Sequence, residues 1–303
     1  MSTFTIMFDT GADLPDEFVE KHGILTIPIP FHIDGRQHPG GRWQEITDQE
    51  YYNALGRGSV AGTALINPES FVDVFTDFAQ RGEALLVTTL SSALSGTYQN
   101  SVIALQDVKE KFPDCKIITV DSMNAAGGAG LVAALAVRKR SEGLSIEETA
   151  AWLEEYRHKC FSLFTVDDLM YLHRGGRLSK LQAVAGSIIG IKPLLNVAPD
   201  GTLKLKDKTR GRKSSLETLF KQMSRSLSPE TKRLGTVVIS HSNCLADAEI
   251  LADMIKASYD VGELLLVMMS PVIGAHVGPG CIALFFEADM DRPEYEGKFY
   301  KAK

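Results

Sequence analysis

Cysteine is scarce in this chain. There are four in 303 residues, Cys115, Cys160, Cys244 and Cys281, far apart and with no Cys-x-x-Cys pair. That spacing fits buried free thiols in a reducing compartment better than a disulfide frame or a zinc site. The seven histidines, at 22, 32, 38, 158, 173, 241 and 276, contain no i, i+3 or i, i+4 pair, so a helical metal-ligand pair is missing and no metal is expected. There is no G-x-S-x-G nucleophile elbow, no Walker loop and no kinase signature. Heptads, short-period repeats and low-complexity tracts are also lacking, which leaves scaffold and solenoid readings without support. Excess positive charge is lacking too: 32 Lys+Arg against 38 Asp+Glu give a net charge of −6, which argues against a nucleic-acid backbone binder. The opening residues lack the basic start and long apolar region of a signal peptide, so the chain reads as cytoplasmic.

One apolar run tests that reading. Leu264 to Phe286 contains no Asp, Glu, Lys or Arg and is long enough to cross a bilayer. Its centre holds Ser270, Pro271, Gly274, His276, Gly278, Pro279 and Gly280, so it reads as two buried strands joined by a turn-rich loop, and no stable membrane insertion is expected.

What is present is ordinary globular material, 44% hydrophobic and 23% charged, at a length that predicts two domains. The first half alternates strand and helix, the pattern of a parallel α/β sheet. Strands are expected at Phe4 to Phe8, Ala84 to Leu90 and Lys116 to Val120, with Ile24 to Ile33 extended. Asn67-Pro68 predicts a capped helix start, and Phe71, Phe75 and Phe78 then share one helical face. Tyr98, Val102, Leu105 and Phe112 mark the inner face of the next helix. The glycines of Asn124-Ala-Ala-Gly127-Gly-Ala-Gly130 do not match a dinucleotide loop and predict close helix packing. A charged helix near Ile146 to His158 bridges to a second half whose Asp200-Gly201 pair signals a hairpin, hence antiparallel pairing. The expected fold is α/β in two domains: 1–158, a parallel α/β domain, and 159–303, an α+β domain with a mainly antiparallel sheet.

Four features bear chemistry. Ser91-Ser-Ala-Leu-Ser-Gly-Thr97 lies where a strand turns into a helix, a place that suits an anion, although Ser95 as a simple helix cap explains it as well. His276 sits among glycines and a proline between apolar strands and is suited either to a carboxylate or to a structural hydrogen bond. The basic clusters His173 to Arg177 and Lys206 to Lys213 serve an anionic partner or a solvated face. Asp9 to Asp13 and Asp121-Ser122 place carboxylates at strand ends, where α/β ligands gather and where helix caps also occur.

Taken together, Asp9-Thr-Gly-Ala-Asp-Leu-Pro15, Ser91-Ser-Ala-Leu-Ser-Gly-Thr-Tyr98, Tyr171-Leu-His-Arg-Gly-Gly-Arg177, Ile191-Lys-Pro193, Arg210-Gly-Arg-Lys213 and Ile273-Gly-Ala-His-Val-Gly-Pro-Gly280 resemble the DegV family across nearly the whole chain. Fatty-acid-binding members of that family are the substrate-presenting subunits of bacterial fatty acid kinase. The resemblance implies a long-chain fatty acid as ligand, lying between the two domains, no cofactor, and a carboxylate site at Thr63, Ser95 (with Ser92 the alternative), Gly96 and His276. Arg177 and Arg210 would serve partner docking or phosphate contact. The implied partners are an ATP-binding kinase subunit and an acyltransferase that consumes acyl-phosphate, and the chain would not be catalytic alone. The rivals are an autonomous acyl hydrolase or transferase using Ser95 and His276, and a regulatory lipid sensor. The chain departs from the family where Thr63-Ala-Leu-Ile-Asn-Pro68 replaces Thr-Ser-Gln-Pro-Ser-Pro, which bears on the polar shell and on chain preference.

Overall fold

The computed structural model describes residues 4–41, 46–179 and 190–293. Strand β1 (Phe4–Asp9) pairs in parallel with β2 (Leu25–Ile27) on one side and β6 (Ala84–Thr89) on the other. With β7 (Ile117–Asp121) they form a four-stranded parallel sheet in the order β2-β1-β6-β7. A small antiparallel sheet, β4-β3-β5, is built from β3 (Phe31–Ile33), β4 (Arg36–His38) and β5 (Ala61–Thr63). The second half forms a six-stranded sheet from β8 (Cys160–Thr165), β9 (Ile191–Val197), β10 (Leu203–Arg210), β11 (Arg233–His241), β12 (Asp260–Met268) and β13 (Ile282–Glu287), in the order β10-β9-β8-β13-β11-β12. Every neighbouring pair in it is antiparallel except β11–β12. The Asp200-Gly201 hairpin joins β9 to β10, with Gly201 at φ 76°.

Helix α5 (Gly127–Ser141) is the middle layer, packed against β1 and β6 on one side and β8, β11 and β13 on the other. Its residues Gly127 to Val137 are all buried. The glycines make that fit possible: a Cβ on Gly127 would lie 2.7 Å from Phe285 and Val238, and one on Gly128 would lie 2.7 Å from Ser162 Oγ. Outside the parallel sheet lie α3 (Pro68–Arg81) and α4 (Thr97–Lys111), and outside the large sheet lie α8 (Arg212–Arg225) and α9 (Leu245–Ser258). Helix α3 starts as the sequence predicts: Asn67 Oδ1 accepts from Ser70 N at 2.9 Å, and Phe71, Phe75 and Phe78 are buried. The central apolar cluster draws on both halves, from Phe4 and Leu86 to Phe164 and Phe285, flanked by one smaller cluster on each side.

Two expectations need correction. The buried residues of α4 are Thr97, Ser101, Ala104 and Val108 rather than Tyr98, Val102, Leu105 and Phe112. Small side chains let α4 lie close against α3, and Leu105 and Phe112 flank that contact half-buried. In the Leu264–Phe286 run, the connection is not merely a loop: Pro271–Val277 is a helix, α10, with Pro271 in its first turn. Proline presets the first turn of a helix as readily as a turn, so the same residue supports both readings. Strand β12 is an edge strand with one neighbour, half-exposed through most of its length, and is not a buried one. Among the described residues no helix is long and apolar enough to cross a membrane.

Candidate functional site: an apolar cavity closed by a polar cluster

The loops at the carboxyl ends of β2, β6 and β7 converge at one end of the parallel sheet, where ligands of open α/β sheets gather. There they meet α10, β5 and the inner face of the large sheet around a cavity of about 420 Å³. Its walls are overwhelmingly apolar, with Leu90 and Leu94 from the first half facing Phe164, Leu172, Val197 and Phe285 of the second. The polar members of the lining are Thr63, Ser95, Arg177 and His276, with Gly96 beside them. A second, more polar cleft of about 310 Å³ is lined by His32, Arg174 and Gly175 among others, and Thr63, Arg177 and His276 line both spaces. These three side chains therefore stand between a greasy interior and a polar cleft.

Each is held from a different element. Thr63 ends β5, whose pairing with β3 sets Thr63 opposite Phe31. His276 lies on α10, where it alone of seven residues is not fully buried. Its Nε2 shares a hydrogen bond of 2.9 Å with Thr63 Oγ1, whereas its Nδ1 is buried without a partner among the described residues. Burial, with a smaller contribution from the Arg177 charge, pushes the imidazole down to about 4, so it is neutral at pH 7. An orphaned lone pair costs less than an orphaned N–H, which favours the tautomer with the proton on Nε2. Nε2–H then donates to Thr63 and leaves the Thr63 hydroxyl proton to donate to an anion. Arg177 Nε donates to Leu94 O at 3.0 Å and its Nη1 to Gly175 O, so the guanidinium braces the Ser95 loop against the end of α7 (Met170–Arg174). Burial lowers its pKa.

The other expected residues fall elsewhere. Ser92 is exposed and away from the cavity, and its backbone N–H donates to the Asp121 carboxylate. Its neighbour Ser95 is half-buried and pairs with Thr97 Oγ1 at 3.0 Å. Arg210 is exposed at the end of β10 and lines neither space. Nearby Arg212 is better tied, donating to Asp247 and to Gly280 O, both at 2.7 Å, and so anchoring the chain just after α10. Among the described residues a Ser-His-Asp arrangement is not formed: Ser95 and His276 each hold a different partner, and Nδ1, where a triad aspartate would sit, has none. Among the described residues no group of three or more His, Cys, Asp or Glu side chains is placed to hold a metal. Sequence reasoning did not single out His32 or the aromatic walls Phe164 and Phe285; the continuous apolar runs of β8 and β13 were the available signal for the walls.

The model of the DegV family, described as an uncharacterised protein family, matches residues 3–289. The chain belongs to the DegV family. A DegV domain-containing protein of Clostridium perfringens is 38% identical over 293 residues, covering 97% of this chain and 100% of that one. Among solved structures, a DegV lipid binding protein of Thermotoga maritima superposes with a TM-score of 0.82 at 30% identity, over 96% of this chain and 100% of the other. A DegV family protein of Thermus thermophilus, described for its fatty acid binding, gives 0.83 at 27% identity over 94% and 99% of the two chains. Both superpositions extend over the parallel sheet and the large mixed sheet of this DegV protein alike.

Proposed function

We propose that this DegV family protein binds a long-chain fatty acid and presents its carboxylate to a separate ATP-binding kinase subunit, which converts it to an acyl-phosphate for an acyltransferase. The observation that carries the reading is the apolar 420 Å³ cavity ending in Thr63, Ser95, Arg177 and His276. Residues 1–158 supply Thr63, Ser95 and Gly96, and residues 159–303 supply Arg177 and His276, so the ligand lies between two domains. The lipid and fatty acid binding of the Thermotoga and Thermus proteins supports the ligand class. About fourteen buried methylenes at roughly 0.8 kcal/mol each give on the order of 11 kcal/mol of gross transfer free energy, from which association costs are subtracted. The tail supplies affinity and the polar cluster fixes orientation. The carboxylate end faces the polar cleft with Arg177 and Arg174, which suits a step that adds a phosphoryl group there.

Denaturing solvent extraction of the purified protein, followed by mass spectrometry, tests the ligand. A near-stoichiometric fatty acid is expected, and an empty extract from a protein that also fails to take up added fatty acid would overturn the reading. The kinase role is tested separately, by acyl-phosphate formation when ATP and a kinase subunit are added to the loaded protein.

A further inference from the structure

The Asp9–Asp13 turn is prominent in the sequence, yet the ligand reading leaves it without a role. Helix capping does not supply one, because α1 (Asp16–Lys21) is preceded by Pro15 and has no side-chain cap. Both carboxylates are buried, at 0% and 3% exposure. Asp9 Oδ1 accepts from Gly11 N at 2.8 Å, and its Oδ2 accepts from Leu90 N at 2.7 Å, at the start of the segment that carries Ser95. Asp13 Oδ1 accepts from Ser270 N at 3.0 Å, and Ser270 is the residue from which α10 and His276 spring. Between them, Thr10 Oγ1 accepts from Ile29 N, Thr10 O accepts from the Ser270 hydroxyl, and Gly11 O accepts from Ala126 N. Four residues of this turn thus grip four segments that line the apolar cavity, three in the first half and one in the second.

We propose that Asp9 and Asp13 are positioning residues of the ligand site, Asp9 holding the Ser95 loop and Asp13 holding the His276 helix. The role rests on the fatty acid reading for its ligand and on the hydrogen bonds alone for its geometry. Each carboxylate is poised to change its grip near neutrality. Burial pushes both carboxyls up to about 7, outweighing the backbone N–H groups that pull them down. The ionisable group facing Asp9 is Asp121, whose charge raises it further. Those facing Asp13 are Asp48, at the start of α2 (Asp48–Gly56), with Tyr52 and Cys281, both held neutral by burial. Both Asp9 oxygens accept from the backbone, so protonation weakens one of those bonds, whereas Asp13 Oδ2 has no partner among the described residues, so a proton settles there and Ser270 N keeps Oδ1 as a weaker, uncharged acceptor.

The test is a pH titration of the full-length, unliganded, ¹⁵N-labelled protein by NMR, alongside Asp9→Asn and Asp13→Asn. In the wild type the amide signals of Leu90 and Ser270 are expected to titrate with midpoints near 7. Asp9→Asn should abolish the Leu90 titration and shift the signals of residues 91–97 while sparing the His276 imidazole. Asp13→Asn should do the reverse. Radiolabelled oleate should bind each variant at least tenfold more weakly. Amides that do not titrate in the wild type, variants that disturb both segments alike, or two variants with wild-type oleate affinity would each overturn the proposal. Should one variant fail to fold, the wild-type titration still decides. A wild type that takes up no oleate would overturn the ligand reading alone, since the crossed pattern needs no ligand.

Discussion

Replacing Gly175 with alanine tests whether the imidazole must stand where the structure puts it. Gly175 has φ −71° and ψ −5°, an ordinary right-handed conformation, so alanine adds no backbone strain. The obstacle is space alone: the new Cβ would overlap His276 Nδ1 and lie 3.0 Å from Cε1 and 3.3 Å from Cγ. The ring lies on a helix packed all round, so it has to swing away from Gly175, and the 2.9 Å bond to Thr63 is the contact that breaks. Leaving a buried polar group unpaired costs about 1–3 kcal/mol. If the Thr63 hydroxyl orients the ligand, that range corresponds to a loss of roughly 5- to 150-fold in fatty acid affinity. Displacement of a fluorescent fatty acid gives the affinity, and a melting curve shows whether the variant is folded. Gly56→Ala is the control, the same chemical change at the end of α2 with nothing within 4 Å of the new Cβ. A folded Gly175→Ala protein with wild-type affinity would refute the claim that the His276–Thr63 pair matters to the ligand.

Three further expectations follow from the same geometry. Ser95→Ala should weaken fatty acid binding while Ser92→Ala leaves it unchanged, because only the former lines the cavity; equal effects in a parallel titration would remove Ser95 from the site. Arg177→Ala should both slow partner-dependent phosphorylation and weaken ligand binding, since its guanidinium braces the Ser95 loop as well as facing the cleft, whereas Arg210→Ala should touch phosphorylation alone; oleate affinity and acyl-phosphate yield separate the two. His276 is held near 4 in the folded protein against 6.5 when free, so the unfolded chain takes up a proton that the folded one refuses between those values. Stability from this group is complete above 6.5 and falls as pH drops toward 4, by on the order of 3 kcal/mol. Urea melts of wild type and His276→Gln at pH 7 and pH 4.5 should show the wild type losing more than the variant, and parallel losses would contradict the burial argument.

Much of the fold was legible because local signals and tertiary packing agreed. Asn67-Pro68 opens a helix whether or not a sheet lies beneath it, and the Asp200-Gly201 pair turns the chain back whatever surrounds it. The glycines of α5 were readable as close packing because only small residues allow a helix between two sheets. Periodicity failed on α4, where the contact favours small residues and the buried Thr97, Ser101 and Ala104 each lie one position before Tyr98, Val102 and Leu105. It failed again at Pro271–Val277, where proline and glycine mark a turn and a first helical turn equally well. At the site, the family resemblance pointed to Thr63, Ser95 and His276, and all three line one cavity. The choice between Ser92 and Ser95 was not decidable from a loop in which both follow the same strand; it depends on which hydroxyl the start of α4 turns inward. Arg177 read as a docking or phosphate-contact residue, and nothing local reveals that Leu94 O lies within its reach.

The place of α5 between the two sheets bears on how a guest molecule leaves. A helix buried on every side from Gly127 to Val137 cannot be bared on one face without exposing apolar surface to water, so the two halves are coupled rather than hinged. Heat should therefore melt the protein in one cooperative transition, and a ligand that grips either wall should raise the melting temperature of both. Escape from the cavity then calls for a local breach at its rim rather than a parting of the halves, and residence time becomes a property of whichever rim segment opens most cheaply.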